Sequence, residues 1–537
     1  MKKILSIMTA AMLGTAVSAQ ETYENAPLAQ KDLNGTARYV GMGGAMEALG
    51  ADISTMGTNP AGIGLFRRSV VNGSFGVNSQ SDVESFGGAD KTKMSFDQAG
   101  FVYSMRTNRS SFINFGFNYN KSKNFNQILT AAGKLNGASQ NKLSAMKNAN
   151  GIYTLNEKNG NLVSNSAACN QIDYLYSNAL FNSSNAQLSD QGVIIRQSDG
   201  MPVYYNAKDY QFGRASSGYI GEYNFNVSGN SNDRFYWGFT VGLYDVHYNG
   251  TTEYSENLVD GGNGIGNVVI GDERQITGTG FDIKGGVIFR PVEESPFRIG
   301  LYVNTPTWYD LTTKNYTYID NKGLNKAYGS HDYGDVSESY DFKFYTPWRF
   351  GVSLGHTVGN YLALGATYEY ADYSTNDIRV NDGGTVDDWG NYYDSSYSDK
   401  AMKESIKNSL KGVHMLKLGV EFKPEKNFAV RLGYNYLSAM YDENGFKDGS
   451  IESYGTYYSS TTDYTNWKDT HRVTAGFGYA TKNWNFDIAY QFSQTNGDFY
   501  PFMSYVDNEK PEFDNVCGAT KVSNKRNQVL MTIGYKF

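Results

Sequence analysis

The chain has 537 residues and a net charge of −7, with 40% hydrophobic, 19% charged and 15% aromatic side chains; Gly numbers 59, Tyr 43, Pro 10 and Cys 2. Two cysteines exclude a disulfide scaffold, low charge excludes a long coiled coil, and the acidic balance excludes a basic nucleic-acid binder. A mean hydropathy of −0.50 suits a soluble multidomain chain, so the Gly and Tyr load needs another explanation. In chain order, Lys2 and Lys3 precede an apolar stretch from Ile4 to Val17, and Val17-Ser18-Ala19 offers a small-residue cleavage site. Residues 1–19 therefore read as a secretory signal peptide.

Residues 20–66 fit no strand pattern and are rich in small residues, as in Gly41-Met42-Gly43-Gly44-Ala45 and Asn59-Pro60-Ala61-Gly62. From 67 onward, stretches of ten or so residues alternate apolar and polar, which marks strands with one apolar face. In the last of them Val529, Met531, Ile533, Tyr535 and Phe537 share one face, against Gln528, Thr532, Gly534 and Lys536. The alternation predicts strands over 68–79, 95–107, 109–125, 213–229, 233–253, 272–290, 297–312, 338–357, 360–375, 412–423, 427–438, 469–480, 483–495 and 521–537. Short turns such as 107–109, 424–426 and 481–483 alternate with long loops, the largest about 126–212. No apolar run is long enough for a transmembrane helix. An even set of fourteen long strands with this loop asymmetry predicts an all-β fold, a 14-stranded antiparallel transmembrane β-barrel. Closure satisfies every backbone polar group in lipid. A barrel of that size leaves an open lumen, and residues 20–66 stand ready to fill it as an N-terminal plug, with 67–537 as the barrel.

Several residues are candidates for function. Lys417, Glu421 and Arg431 fall on inward faces, where charge implies water or bound polar groups. Gly116 could let the third strand bend. In the largest loop, Ile128, Leu129, Leu135, Leu143 and Met146, then Leu175, Leu180 and Phe181, form helix-like apolar patches. They are either a capture groove for a ligand or loop helices packing on their own rim. Residues 400–411 predict a short amphipathic helix capping the mouth. Gly351 to Gly355 match G-x-S-x-G inside an alternating strand, which is the wrong context for a nucleophile elbow. The five His are scattered without metal-ligand spacing, and Gly43-Gly44 does not fit a dinucleotide fingerprint. No cofactor is expected. Cys169 and Cys517 fall in loops, bridged or as two thiols.

The stretch ARYVGMGGAMEALGADISTMGTNPAGIG resembles the hatch signature of the FadL-type outer-membrane transporters of long-chain fatty acids and other hydrophobic compounds. GTGFDIKGGVIFRPVEESPFRIGLYVNTP and YTPWRFGVSLG are similar as well. The resemblance implies a hatch containing Arg38, Gly43, Gly44, Ala45, Asp52, Asn59, Pro60, Ala61 and Gly62. It implies passive uptake by loop capture, lumenal binding and hatch rearrangement, with exit through a lateral gap or past the hatch, and no enzymatic activity. Phe537 resembles the terminal aromatic that barrel assembly machinery reads. The expected partners are a hydrophobic small-molecule ligand, outer-membrane lipid and that machinery, with no nucleic acid, and a monomer is expected. The alternatives are a shuttle barrel that holds a partner in protein secretion, a receptor for haem or another hydrophobic ligand, and a barrel enzyme with a juxtaposed Ser–His pair.

Overall fold

The computed structural model describes residues 21–182, 185–320, 336–387, 389–390 and 392–537; the expected signal peptide lies outside them. Nineteen hydrogen-bonded segments form one antiparallel sheet, and merging those that continue one another gives fourteen strands. They are β1 (Val70–Ser81), β2 (Thr92–Arg106), β3 (Phe112–Asn124 and Gln127–Lys134), β4 (Asn206–Ser231), β5 (Phe235–Asp260), β6 (Asn263–Phe289) and β7 (Arg298–Asn304 and Trp308–Asp320). Then follow β8 (Val336–Tyr345 and Arg349–Val358), β9 (Leu362–Asp372 and Asp377–Val386), β10 (Tyr392–Ser398 and Gly412–Glu425), β11 (Phe428–Leu437), β12 (Tyr464–Ala480), β13 (Trp484–Tyr500) and β14 (Thr520–Lys536). Each pairs with its chain neighbours, and β1 closes on β14 from Val70↔Lys536 to Ser81↔Lys525. The sheet is a closed barrel.

The alternation in sequence becomes an inside and an outside. On β14, Gln528, Leu530 and Thr532 are buried, while Val529, Met531 and Ile533 are 41%, 56% and 47% exposed. So large an outward apolar surface is stable only against lipid. Aromatic pairs border it, Trp484–Tyr535 and Phe428–Tyr479 near the short turns and Phe96–Tyr119 and Tyr119–Tyr223 near the long loops, as interfacial girdles do. The architecture is that of an outer-membrane barrel. Gly351 to Gly355 lie within β8 with Val352 and Leu354 outward, so no nucleophile elbow exists there.

Three expectations need correction. The connection expected over 254–271 is strand instead: β5 and β6 pair out to Asp260↔Asn263 and turn on Gly261 and Gly262, both at positive φ. The large loop is shorter at both ends, because Gln127–Lys134 pairs with β4 from Gln127↔Ser216 onward. Ile128 and Leu129 therefore lie on a strand. The third strand breaks at Phe125 and Asn126, whereas Gly116 keeps unbroken register with Val102 and Asn226. A Cβ at Gly116 would collide with the Met56 side chain, so the glycine makes room for residue 56 and bends nothing.

Inside the wall lie helices α1 (Thr22–Ala29) and α2 (Ala37–Gly41) and two 3-10 turns, Ile53–Gly57 and Pro60–Leu65. Over the opposite end, α3 (Gln140–Ala149) and α4 (Gln171–Phe181) pack together. Asn170 and Asp173 start α4 as a capping box. Leu135, Leu143, Met146, Leu175 and Leu180 are buried in one apolar cluster, with Leu129 at its edge and Phe181 half-buried against it. Apart from Leu129, which also lines a cavity, these residues pack on one another, because two short amphipathic helices bury their stripes most cheaply face to face. Cys169 and Cys517 are buried free thiols in the same cluster. Burial pushes Cys169 up to about 12 and Cys517 up to about 11. Helix α5 (Lys400–Ser409) turns Met402 and Ile406 onto a cluster that includes Tyr23 and Ala26 of α1.

Candidate functional site

The N-terminal segment sits where the wall has no side chains. Gly419 faces the Met42 carbonyl, Gly433 the Gly43 amide, Gly365 the Ala45 carbonyl, Gly286 the Asn59 amide group and Gly238 the Pro60 carbonyl, and a Cβ at any of them would collide. The excess glycine seen in the composition thus lets two backbones approach closely. Gly43 needs to be glycine on its own account: its φ is +62°, and a Cβ would lie 2.8 Å from the Tyr434 amide nitrogen.

Within the segment, short side chains satisfy backbone that has no regular structure. Asp52 accepts from the Ser54 amide (3.0 Å) and from Thr36 Oγ1 (2.9 and 2.8 Å). Asn59 accepts from the Ala61 amide (3.1 Å), starting the turn that opens on Pro60, and donates to the Glu47 carbonyl (3.2 Å). Gly62 accepts from the Ala51 amide (3.0 Å), and Ala61 is buried against Tyr236 and Ile288. Asn59, Pro60 and Ala61 thereby hold one end of the segment against β5 and β6, while Gly62 closes the segment on itself.

Buried charge ties down the rest. Arg38 grips Glu421 with two bonds, Nε at 3.0 Å and Nη2 at 3.1 Å, and Arg431 bridges Glu421 and Asp487 at 2.6 Å each. Lys417 reaches Glu47 at 2.8 Å; Glu47 is fully buried and also accepts from Tyr39 (3.1 Å) and Thr367 (2.8 Å). All three charges expected on inward faces therefore meet the segment or one another. A burial this deep is tolerable because each carboxylate is paired and hydrogen-bonded. Sequence reading missed Glu47, although a lone acid amid Ala45-Met46 and Ala48-Leu49 is a visible anomaly. It also missed Leu530, an apolar side chain on the polar face of β14.

Above the segment, on the long-loop side, lies a cavity of about 260 Å³. Leu28, Phe125, Leu129 and Trp467 supply apolar wall. Beside Phe125, Lys123 (3.4 Å) and Arg526 (3.9 Å) share Asp32, while Arg472 donates to Asn435 at 2.7 Å. Over the whole cavity lining, six cations (Lys123, Arg214, Arg274, Lys468, Arg472 and Arg526) meet five carboxylates (Glu24, Asp32, Asp97, Asp272 and Asp463), a small positive excess. Asn78 Nδ2, Gln491 Oε1 and Asn524 Oδ1, buried on the same wall, have no protein partner, which is how a wall built for water or a polar ligand group looks. Toward the short turns, a second cavity of about 190 Å³ is lined by Arg38, Asp52, Lys426 and Lys536. Among the described residues no cluster of metal-ligating side chains occurs.

No protein-family model and no curated protein sequence matches the chain. Among solved structures it is similar to a FadL homologue of Pseudomonas aeruginosa, at 11% identity and a TM-score of 0.49 over 95% of this chain and 100% of that one. It is also similar to the toluene transporter TbuX of Ralstonia pickettii (14%, TM-score 0.44, 94% and 99%) and to the toluene transporter TodX of P. putida (11%, TM-score 0.45, 94% and 99%).

Proposed function

We propose that the protein is a plugged outer-membrane barrel that admits small hydrophobic or amphiphilic molecules by passive diffusion, with residues 21–66 as the plug. The observation that carries this reading is the long-loop-side cavity, in which apolar side chains and cations line one space together with residues 23–34 of the segment. Such a site suits an apolar body with an acidic head: Phe125, Leu129 and Trp467 take the first, Arg472 and Arg526 the second. The resemblance of Asn59 to Gly62 to the hatch of the FadL-type transporters supports the plug.

In this mechanism the ligand enters from the long-loop side and lies against Leu28, Gln30 and Asn34, which line the cavity and lead into α2. Binding energy spent there is available to loosen the segment, whose polar anchors can exchange protein partners for water. The test is uptake of a labelled fatty acid, and of the matching neutral alcohol, by cells with and without the gene. Uptake of both should depend on the gene, and Arg472→Gln should slow the acid more than the alcohol. Equal uptake with and without the gene overturns the reading.

A further inference from the structure

Two polar cavities lie on either side of α2, and along the β13–β14 wall only one layer of inward side chains separates them. On β14, Gln528 lines the long-loop-side cavity and Thr532 the short-turn-side one, so Leu530 alone intervenes. On β13 the same order runs Gln491, Ala489, Asp487. Against Leu530 and Ala489 pack Ala37 and Val40 of α2, and all four are at most 1% exposed. In a wall otherwise lined by Asn, Gln, Thr and charged residues, this layer is an apolar break about two residues tall, roughly 7 Å along a strand.

We propose that the lumen holds a through-route for small hydrophilic anions, closed at rest by the single apolar layer of Ala37, Val40, Ala489 and Leu530. A narrow apolar constriction between two wet compartments holds no continuous water column and so blocks ions without filling the pore. The charge on either side favours anions by a small excess: Lys123, Arg214, Arg274, Lys468, Arg472 and Arg526 against Glu24, Asp32, Asp97, Asp272 and Asp463 above the layer, and Arg38, Lys423, Lys426, Arg431 and Lys536 against Asp52, Glu421 and Asp487 below it. One half of the layer is fixed in the wall and the other half rides on α2. The helix is held there by two direct bonds with wall hydroxyls, the Ala37 amide donating to Thr532 Oγ1 (2.7 Å) and Thr474 Oγ1 donating to the Gly41 carbonyl (3.2 Å), together with the Arg38–Glu421 pair. Just before the helix, Asn34 touches the long-loop-side cavity and is bonded to Asp97 (3.0 Å) and Gln528 (3.3 Å). A ligand in that cavity therefore acts on the hinge of the movable half.

The inference rests on the plug reading and is tested apart from it. Full-length protein is reconstituted in planar bilayers in a KCl gradient, as wild type, Leu530→Ser, Val40→Ser and Leu530→Met, each checked for the heat-modifiable migration of a folded barrel. Making the layer polar should raise the mean current about tenfold or more, the equivalent of losing one buried leucine's apolar transfer energy. The reversal potential should move toward chloride, and Leu530→Met should stay as closed as wild type. Val40→Ser keeps the test alive if the wall variant does not fold, because it alters the segment alone. Folded serine variants as tight as wild type, or a current that reverses toward potassium, overturn the proposal. Failure of the function reading is distinguished by wild-type ligand uptake, which does not involve these variants.

Discussion

The two compact insertions differ in emphasis rather than in kind, since α1 also packs Tyr23, Ala26 and Leu28 into an apolar cluster and the cap also buries the Lys147–Asp173 pair. The N-terminal segment meets the wall through bare glycine backbone and through buried charge, with Arg38–Glu421 and Glu47–Lys417 as its strongest links. The cap over the long-loop end, built on α3 and α4, is held by an apolar cluster around Met146, Leu175 and Tyr176. A buried ion pair gains little net stability, since desolvation offsets most of the Coulomb attraction. Water or a ligand can replace its partners at modest cost. An apolar core has no such substitute, because any opening exposes its whole surface to water. On the proposed mechanism, the charge-anchored part of the segment is the part that releases, while the apolar cluster of the cap stays closed.

The comparison breaks most readily at the segment itself. Removing residues 20–66 from the mature chain should make proteoliposomes leaky to small polar solutes, and tightness after the deletion would deny the segment its role as plug. Smaller, but still large, is the effect of Lys417→Met. It strands the fully buried Glu47 carboxylate and should weaken segment docking by about 3–5 kcal/mol. Hydrogen exchange of amides 37–50 should speed accordingly, and a double variant with Glu47→Gln should recover most of the protection. Exchange unchanged in the single variant would show that the pair anchors nothing. Leu175→Ala should cost the cap about 2–5 kcal/mol by leaving a cavity in its core, seen as faster proteolysis within 135–205, while the barrel's heat-modifiable migration stays unchanged. If the segment loosens as well, the two regions are coupled rather than independent. The smallest effect is chemical. Cys169 and Cys517, pushed up to about 12 and about 11 by burial, should resist alkylation at pH 8 in the native protein and react only after unfolding. Reaction of either in the folded state would mean that the cap opens more readily than an apolar core allows.

The inward-facing charges show how far the sequence reached and where it stopped. Lys417, Glu421 and Arg431 were legible as inward because strand alternation assigns every residue a face. Their partners were not, since Glu421 and Arg38 are 383 residues apart and Lys417 and Glu47 are 370 apart. The apolar residues of the large loop were legible as a cluster; whether that cluster faces solvent or itself depends on how α3 and α4 pack, which periodicity leaves open. Gly116 was legible as special for its lack of a Cβ, but that a Met56 side chain occupies the vacated space belongs to the three-dimensional arrangement.

By itself the sequence determined the barrel, its fourteen strands, the lipid-facing surface and the segment without strand pattern that precedes the first strand. Alternation with a period of two is a local property of the backbone that the membrane reads directly. Only the tertiary structure decided where the third strand breaks, that the loop residues bury one another, which charges anchor the segment, and that Leu530 meets Val40 between two polar-lined cavities. Those are contacts between residues far apart in the chain, and closure of the sheet is what brings them within reach.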